Sequence, residues 1–391
     1  MARNIPTDAG INTRLAHGGN DPLDYFGFVN PPVVHASTVL FPDAATMATR
    51  SQKYTYGTRG TPTMDALAAA IDELEGSAGT IVVPSGLMAV AVPLLGFLSA
   101  GDHLLIVDSV YHPTRNFVDT MLARFGVEVE YYDPHIGAGI SALMKQNTRV
   151  VFTESPASNT FEVQDIPAIV KAAHERGAIV MLDNTWATAL YFRAMDFGVD
   201  VVIHAATKYP AGHSDVLLGT VSANEACWGK LFETFNALGC PAGPDDMYQV
   251  LRGMRTMGLR LEKHQASALE IARWLEQQDG IAGVLHPALE THPDHAIWKR
   301  DFKGSSGLFS VVLKGGGQRT AHAFLDALGI FGLGYSWGGY ESLAVPVWLK
   351  DRTIARDRYE GPLIRLQIGL EDVADLKRDL MRGLEAARSA V

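Results

Sequence analysis

Hydrophobic and polar positions divide the chain into three stretches. Residues 1–60 are rich in Gly, Pro, Asn and Thr and show little periodicity, so they read as an irregular arm. From Thr63 to about Arg255, short apolar, largely β-branched runs alternate with stretches of helical character. The runs are Thr80–Val83, His103–Val107, Val127–Tyr131, Arg149–Thr153, Ala178–Leu182, Val199–Ile203 and Val216–Val221, with helices such as Pro113–Phe125 and Ile166–Arg176 between them. Runs that are apolar throughout, rather than alternating, predict strands covered on both faces. That is the signature of an α/β domain with a mostly parallel central sheet flanked by helices.

Beyond that region, Met257–Gln278 reads as a long amphipathic helix, with Leu259, Ala266, Leu269, Ile271, Ala272 and Leu275 among its apolar positions. Gly307–Leu313 and Leu363–Ile368 follow as strands, and Val373–Ala387 closes as a helix, which predicts a smaller C-terminal α+β domain. The expected division is an arm over 1–60, a first domain over 61–255 and a second over 256–391. No internal repeat or low-complexity segment interrupts it.

Composition narrows the functional classes. A length of 391 residues suits two or three domains. Hydrophobic residues are 47% and charged residues 19%, the balance of a chain with a sizeable core. The net charge of −10, with no basic tract, argues against nucleic acid and anionic membrane surfaces. The longest apolar run, Leu87 to Leu98, is interrupted by Pro93 and Gly96 and falls short of the ~20 residues that span a bilayer. Met1–Gly10 carries Arg3 and Asp8 and lacks the apolar core of a signal peptide. Cys227 and Cys240 are in no C-x-x-C pattern, and nothing requires them to pair. A cytoplasmic enzyme acting on a small molecule is the expectation.

Ligands of open α/β sheets gather at the carboxyl ends of the strands, so those ends carry the candidate chemistry. Thr80–Val83 runs into Pro84-Ser85-Gly86-Leu87-Met88, a Ser-Gly turn opening a helix. Its free N–H groups at the positive dipole end suit a phosphate, although alone the turn reads as no more than a turn. Tyr111 follows the run His103–Val107, where an aromatic ring can cover a flat cofactor or simply pack. Asp183 closes Ala178–Leu182, and Lys208 follows Val199–Ile203 through His204-Ala205-Ala206-Thr207. An acid at the end of an apolar strand is costly without a cation. Asp183 and Lys208 therefore read either as an ion pair or as the two groups pyridoxal phosphate needs. For that cofactor, the Lys makes a Schiff base and the acid keeps the ring nitrogen protonated. With Gly86 and Tyr111, four separate requirements meet one cofactor.

Other signals carry less. No G-x-G-x-x-G follows the first strand, and no G-x-S-x-G elbow is present. His292 and His295 have an H-x-x-H spacing, but in a Pro-containing loop without further ligands they read as solvated histidines, so no metal is expected. Gly315-Gly316-Gly317 reads as a loop.

Four segments carry a resemblance: Pro84-Ser85-Gly86, Glu154-Ser155-Pro156, Leu182-Asp183-Asn184-Thr185-Trp186 and Ala206-Thr207-Lys208-Tyr209. Together they resemble the Cys/Met-metabolism family of pyridoxal-phosphate enzymes. Trp298-Lys299-Arg300-Asp301-Phe302, Gly304-Ser305-Ser306-Gly307-Leu308-Phe309 and the run Tyr335 to Leu343 point to its β-lyase branch. The similarity extends from Tyr56 to Asp372. It implies a fold-type-I, aspartate-aminotransferase-like architecture, pyridoxal 5′-phosphate as cofactor, and a homotetramer built as a dimer of dimers. The implied activity is β-elimination of L-cystathionine, an amino-acid thioether, to homocysteine, pyruvate and ammonia. A γ-synthase or γ-lyase, and a broader cysteine-S-conjugate β-lyase, are the nearest alternatives. A catalytically silent cofactor-binding protein is disfavoured by the intact Asp183, Thr207 and Lys208.

By the same resemblance, Lys208 is the Schiff-base lysine and catalytic base, and Asp183 binds the pyridinium nitrogen. Gly86 and Leu87 offer N–H groups and Thr207 its hydroxyl to the phosphate, while Tyr111 stacks on the ring and assists catalysis. Tyr56, from the arm, reaches the phosphate of a neighbouring subunit and is counted with the catalytic residues. Ser336, Trp337 and Arg365 line the substrate pocket, with Arg365 clamping the α-carboxylate. Three positions depart from the family pattern. Thr58 stands where an Arg is usual, leaving Arg59 as the candidate phosphate contact. Ala205 replaces a common Ser, and Ser158 a common Asn, with Asn159 beside it.

Overall fold

The computed structural model describes residues 5–6, 8–19, 21–354 and 359–390, so the reading of Met1–Gly10 falls partly outside the described residues. A seven-stranded sheet forms its larger part. Its strands are β1 (Gly79–Val83), β2 (His103–Val107), β3 (Glu128–Tyr132), β4 (Thr148–Glu154), β5 (Ile179–Asp183), β6 (Val201–His204) and β7 (Gly219–Ala223), in the order β1-β7-β6-β5-β4-β2-β3. The pairs β2–β3, β2–β4, β4–β5 and β5–β6 are parallel, whereas β7 runs antiparallel to both neighbours. Every residue of β1, β2, β6 and β7 is buried, and edge strand β3 is only partly so. The continuous apolar runs are therefore continuous because helices cover both faces.

The helix Gly86–Phe97 explains the longest apolar run. It packs against β6, β7 and the helix Glu225–Leu238, with Ala89 through Leu94 buried. A helix apolar all round is a core helix here. Among the described residues, no helix is long and apolar enough to cross a membrane.

The helix Met257–Leu275 joins two hydrophobic cores. Leu261 belongs to the core of the first sheet, while Ala268, Ile271, Ala272 and Leu275 belong to that of a second. The second sheet is antiparallel throughout: β8 (Ile281–Leu285), β9 (Leu308–Leu313), β10 (Leu343–Val347) and β11 (Leu363–Gln367), in the order β10-β11-β9-β8. Sequence periodicity finds β9 and β11 but misses both edge strands. Gly283 interrupts β8, where the pairing with β9 shifts register, and Pro346 interrupts β10, an edge position that tolerates a residue without an N–H.

Two further differences have local causes. The helix expected over Pro113–Phe125 is His112–Phe117 followed by a wider π turn at Val118–Leu122. His292 is buried rather than solvated, its Nδ1 accepting the Asp294 N–H, because the loop folds back over Val163. The arm also holds a short helix, Ile11–His17, whose Leu15 is buried beside Met257–Leu275. The remainder of the arm leaves Phe26, Phe28 and Leu40 exposed, Phe26 almost completely.

Candidate functional site

The carboxyl ends of β1, β4, β5 and β6 converge on one cleft. After β1, Ser85 caps the helix Gly86–Phe97, its Oγ accepting the Met88 N–H at 3.1 Å. The first N–H groups of that helix, on Gly86 and Leu87, have no partner within it. A Cβ on Gly86 would stand 2.6 Å from Ala205 Cβ, so only glycine lets this helix end close on the loop that carries Lys208. The result is a narrow nest of backbone donors, suited to an anion.

Lys208 Nζ donates to Ser336 Oγ at 2.7 Å and lies 5.2 Å from the Trp337 ring centroid. The side chain keeps solvent-facing atoms, yet its pKa is lowered to about 8, first because the surrounding protein strips away water and then through the like charge of nearby Arg365, with Asp183 opposing the shift. Asp183 is not ion-paired with Lys208. Its Oδ1 accepts from the Thr185 N–H at 3.0 Å and the Thr185 hydroxyl at 2.5 Å. Desolvation pushes its carboxyl up, against those hydrogen bonds and the positive charges of His204 and Lys208. An ion pair across neighbouring strands thus does not account for the two residues.

Arg365, central in β11, has only neutral acceptors: Asn159 Oδ1 at 3.2 Å and the Ser336 carbonyl at 3.4 Å. Among the described residues no carboxylate comes within ion-pair distance. Desolvation lowers its pKa to about 10. A guanidinium held by weak neutral contacts beside a cleft is short of one anion.

Tyr111 precedes the helix His112–Phe117, with its side chain half exposed to the cleft. Its N–H donates to Glu154 Oε2 at 2.9 Å. Thr207 Oγ1 is engaged with Leu218, accepting from its N–H at 3.0 Å and facing its carbonyl at 3.2 Å. Tyr56 and Arg59 are exposed, and no hydrogen bond or ion pair joins either side chain to Gly86, Asp183 or Lys208. Sequence reading missed two members of the cluster. Glu154 carries the same signal as Asp183, an acid closing an apolar strand. Asn159, beside the unusual Ser158, is a neighbour of Arg365 across sequence and has no local signal.

The model of the family described as Cys/Met metabolism PLP-dependent enzyme matches residues 12–385. The chain belongs to this family. Its cofactor is pyridoxal 5′-phosphate (PLP), and its fold is that of the fold-type-I PLP enzymes. A putative cystathionine beta-lyase of Rhizobium johnstonii is 67% identical over 384 residues, covering 97% of each chain. The cystathionine beta-lyase of Escherichia coli is 43% identical over 389 residues, covering 96% of this chain and 98% of the relative. Among solved structures, cystathionine gamma synthase of Xanthomonas oryzae pv. oryzae, in complex with aminoacrylate and cysteine, superposes with a TM-score of 0.92. It is 32% identical and covers 99% of this chain and 100% of that one.

The donor set fits the PLP cofactor. An anion nest at Gly86, an acid at the end of β5 with no cationic partner, and a lysine with a pKa near 8 lie around one cleft. Among the described residues, no group of three His, Cys, Asp or Glu side chains is placed to hold a metal.

Proposed function

We propose that this chain is a PLP-dependent carbon–sulfur lyase that cleaves the Cβ–S bond of L-cystathionine, giving homocysteine, pyruvate and ammonia. The observation that carries the reading is the setting of Lys208: an amine held near neutrality, bonded to Ser336 Oγ and walled by Trp337, with the anion-deficient Arg365 beside it. The names of the relatives at 43% and 67% identity support the same substrate.

The cofactor, when bound, supplies an electron sink for negative charge developing at the substrate α-carbon. Lys208 would hold the cofactor, and its Nζ would take the α-proton and deliver one to the departing sulfur. A pKa near operating pH suits both transfers. Asp183 would keep the pyridine nitrogen protonated, its carboxyl fixed by the Thr185 bonds. Arg365 binds the substrate carboxylate with its two-pronged guanidinium, held in plane by Asn159. Tyr111 would cover the ring and assist deprotonation of the incoming amine. The first turn at Gly86 and Leu87, with the Thr207 hydroxyl, would hold the phosphate.

Tyr56 and Arg59 serve the phosphate of a neighbouring copy, in a homotetramer built from two dimers. The exposed Phe26, Phe28 and Leu40 of the arm support this assembly, since such apolar side chains are usually covered. The arm over 1–60, a cofactor domain over 61–255 and a C-terminal domain over 256–391 are the working units of a cytoplasmic enzyme.

The test is product analysis with L-cystathionine. β-Elimination gives pyruvate and homocysteine, and γ-elimination gives 2-oxobutyrate and cysteine. We expect pyruvate to dominate, because the Trp337 ring fixes which arm of the substrate presents its amine. Mostly 2-oxobutyrate would overturn the β assignment and favour the γ-type reading.

A further inference from the structure

Glu154 is the buried acid for which the reading so far has no use. It ends β4 and stands in register with Asp183 at the end of β5. Side chains in register on parallel strands leave the same face, about 4.8 Å apart, so two carboxyls share one dry corner of the cleft. Burial and the neighbouring Asp183 push the Glu154 carboxyl well above the usual carboxylate range. Burial raises the Asp183 carboxyl as well, so the two acids disfavour each other's charge across this corner.

Glu154 accepts two backbone hydrogen bonds there. One comes from the Tyr111 N–H at 2.9 Å, the other from the Ser158 backbone. On its other side Tyr111 accepts the Arg115 N–H through its carbonyl at 3.1 Å. The Tyr111 backbone is thus pinned on both sides while its ring stays half exposed in the cleft. A residue held this way has only its two side-chain torsions free, so its ring plane follows from where the backbone is fixed.

We propose that Glu154 is a positioning residue: by accepting the Tyr111 N–H it sets the plane in which the Tyr111 ring meets the PLP ring. The inference rests on the reading of Tyr111 as the ring-covering residue. Three variants separate the two. Glu154→Met keeps the shape and removes the acceptor, Glu154→Gln keeps an acceptor oxygen, and Tyr111→Ala removes the ring. The readouts are the PLP dissociation constant of the apoenzyme and the visible circular dichroism of bound PLP.

Glu154→Met is expected to weaken PLP binding about 3- to 10-fold, one hydrogen bond's worth, and to at least halve the dichroic band. Glu154→Gln should restore both to within about twofold. In a Tyr111→Ala background Glu154→Met should add almost nothing, since the effect acts through that ring. If Glu154→Met does not fold, Glu154→Ala is read in the same way. A Gln variant as impaired as Met, or full additivity with Tyr111→Ala, would overturn the proposal while leaving Tyr111 over the ring. Wild-type dichroism and affinity in Tyr111→Ala would overturn the reading of Tyr111 beneath it.

Discussion

The two ends of the cleft are built differently. At the amino-acid end, groups from both sheets meet within one chain: Lys208 with Ser336, Ser336 with Arg365, Arg365 with Asn159. At the proposed phosphate end the chain offers backbone N–H groups at Gly86 and Leu87 and a Thr207 hydroxyl occupied by Leu218. The side chain of Arg59, the arm's candidate, makes no hydrogen bond or ion pair among the described residues. A phosphate dianion held by a helix terminus alone gains less than one also met by a guanidinium. On the proposed reading, the contrast teaches that substrate recognition would be organised inside a protomer, and that cofactor retention is where a second copy would have most to add.

Removing the centre of the first end should have the largest effect. Lys208→Ala loses the proton carrier and the cofactor anchor, and kcat/KM should fall at least about 10²- to 10⁴-fold, the usual worth of a general acid–base. Borohydride treatment of wild-type holoenzyme should place the pyridoxyl label on the peptide containing Lys208. A label on another lysine would remove the basis of the comparison altogether.

Arg365→Met comes next. Losing a two-pronged contact to a carboxylate costs about 3 kcal/mol, or about 100-fold in kcat/KM. Cofactor affinity should stay within about threefold, because Arg365 belongs to the other end. Equal losses of cofactor and of activity would show that the two ends are not separable.

Arg59→Ala probes the phosphate end from outside. A charge-assisted bond to phosphate is worth about 1.5–3 kcal/mol, so PLP binding should weaken about 10- to 150-fold. With cofactor in excess, most activity should return. Titration of the apoenzyme by cofactor fluorescence reads this directly. Unchanged affinity would mean that Arg59 does not take over from the usual Arg at the place of Thr58, and that the helix terminus suffices.

How much of this cleft is legible in sequence follows from its construction. Asp183, Lys208 and Tyr111 can be found because parallel strands bring their carboxyl ends to one edge, so short motifs in chain order become neighbours in space. Inner strands such as β2 and β6 are legible for a related reason: burial on both faces writes itself as unbroken apolar runs, whereas the edge strand β3 alternates and is only partly buried. Glu154 carried that same signal but passed as part of a motif. The Arg365–Asn159 and Arg365–Ser336 contacts join a strand to loops distant in sequence, and no periodicity reports such contacts. β8 and β10 went unseen because edge strands tolerate the Gly and Pro that break a pattern.

The smallest expected effect tests whether the amino-acid end acts electrically as a unit. Lys208 has its pKa near 8 instead of the usual 10.5, first through burial, then through the like charge of Arg365, with Asp183 pulling the other way. Only the neutral amine attacks the cofactor aldehyde, so the rate at which apoenzyme captures PLP reports that equilibrium. It should rise with pH and level off above about 8, falling about tenfold per pH unit below it. Arg365→Met removes a positive neighbour, which favours the ammonium and moves the midpoint upward. Asp183→Asn removes a negative neighbour and moves it downward. Both shifts should be smaller than the part due to burial, which neither substitution touches. Stopped-flow absorbance across pH 6 to 10 measures all three midpoints. Should Arg365→Met leave the midpoint where it was, Lys208 and Arg365 would share a cleft without sharing an electrostatic field, and desolvation alone would account for the reactive lysine.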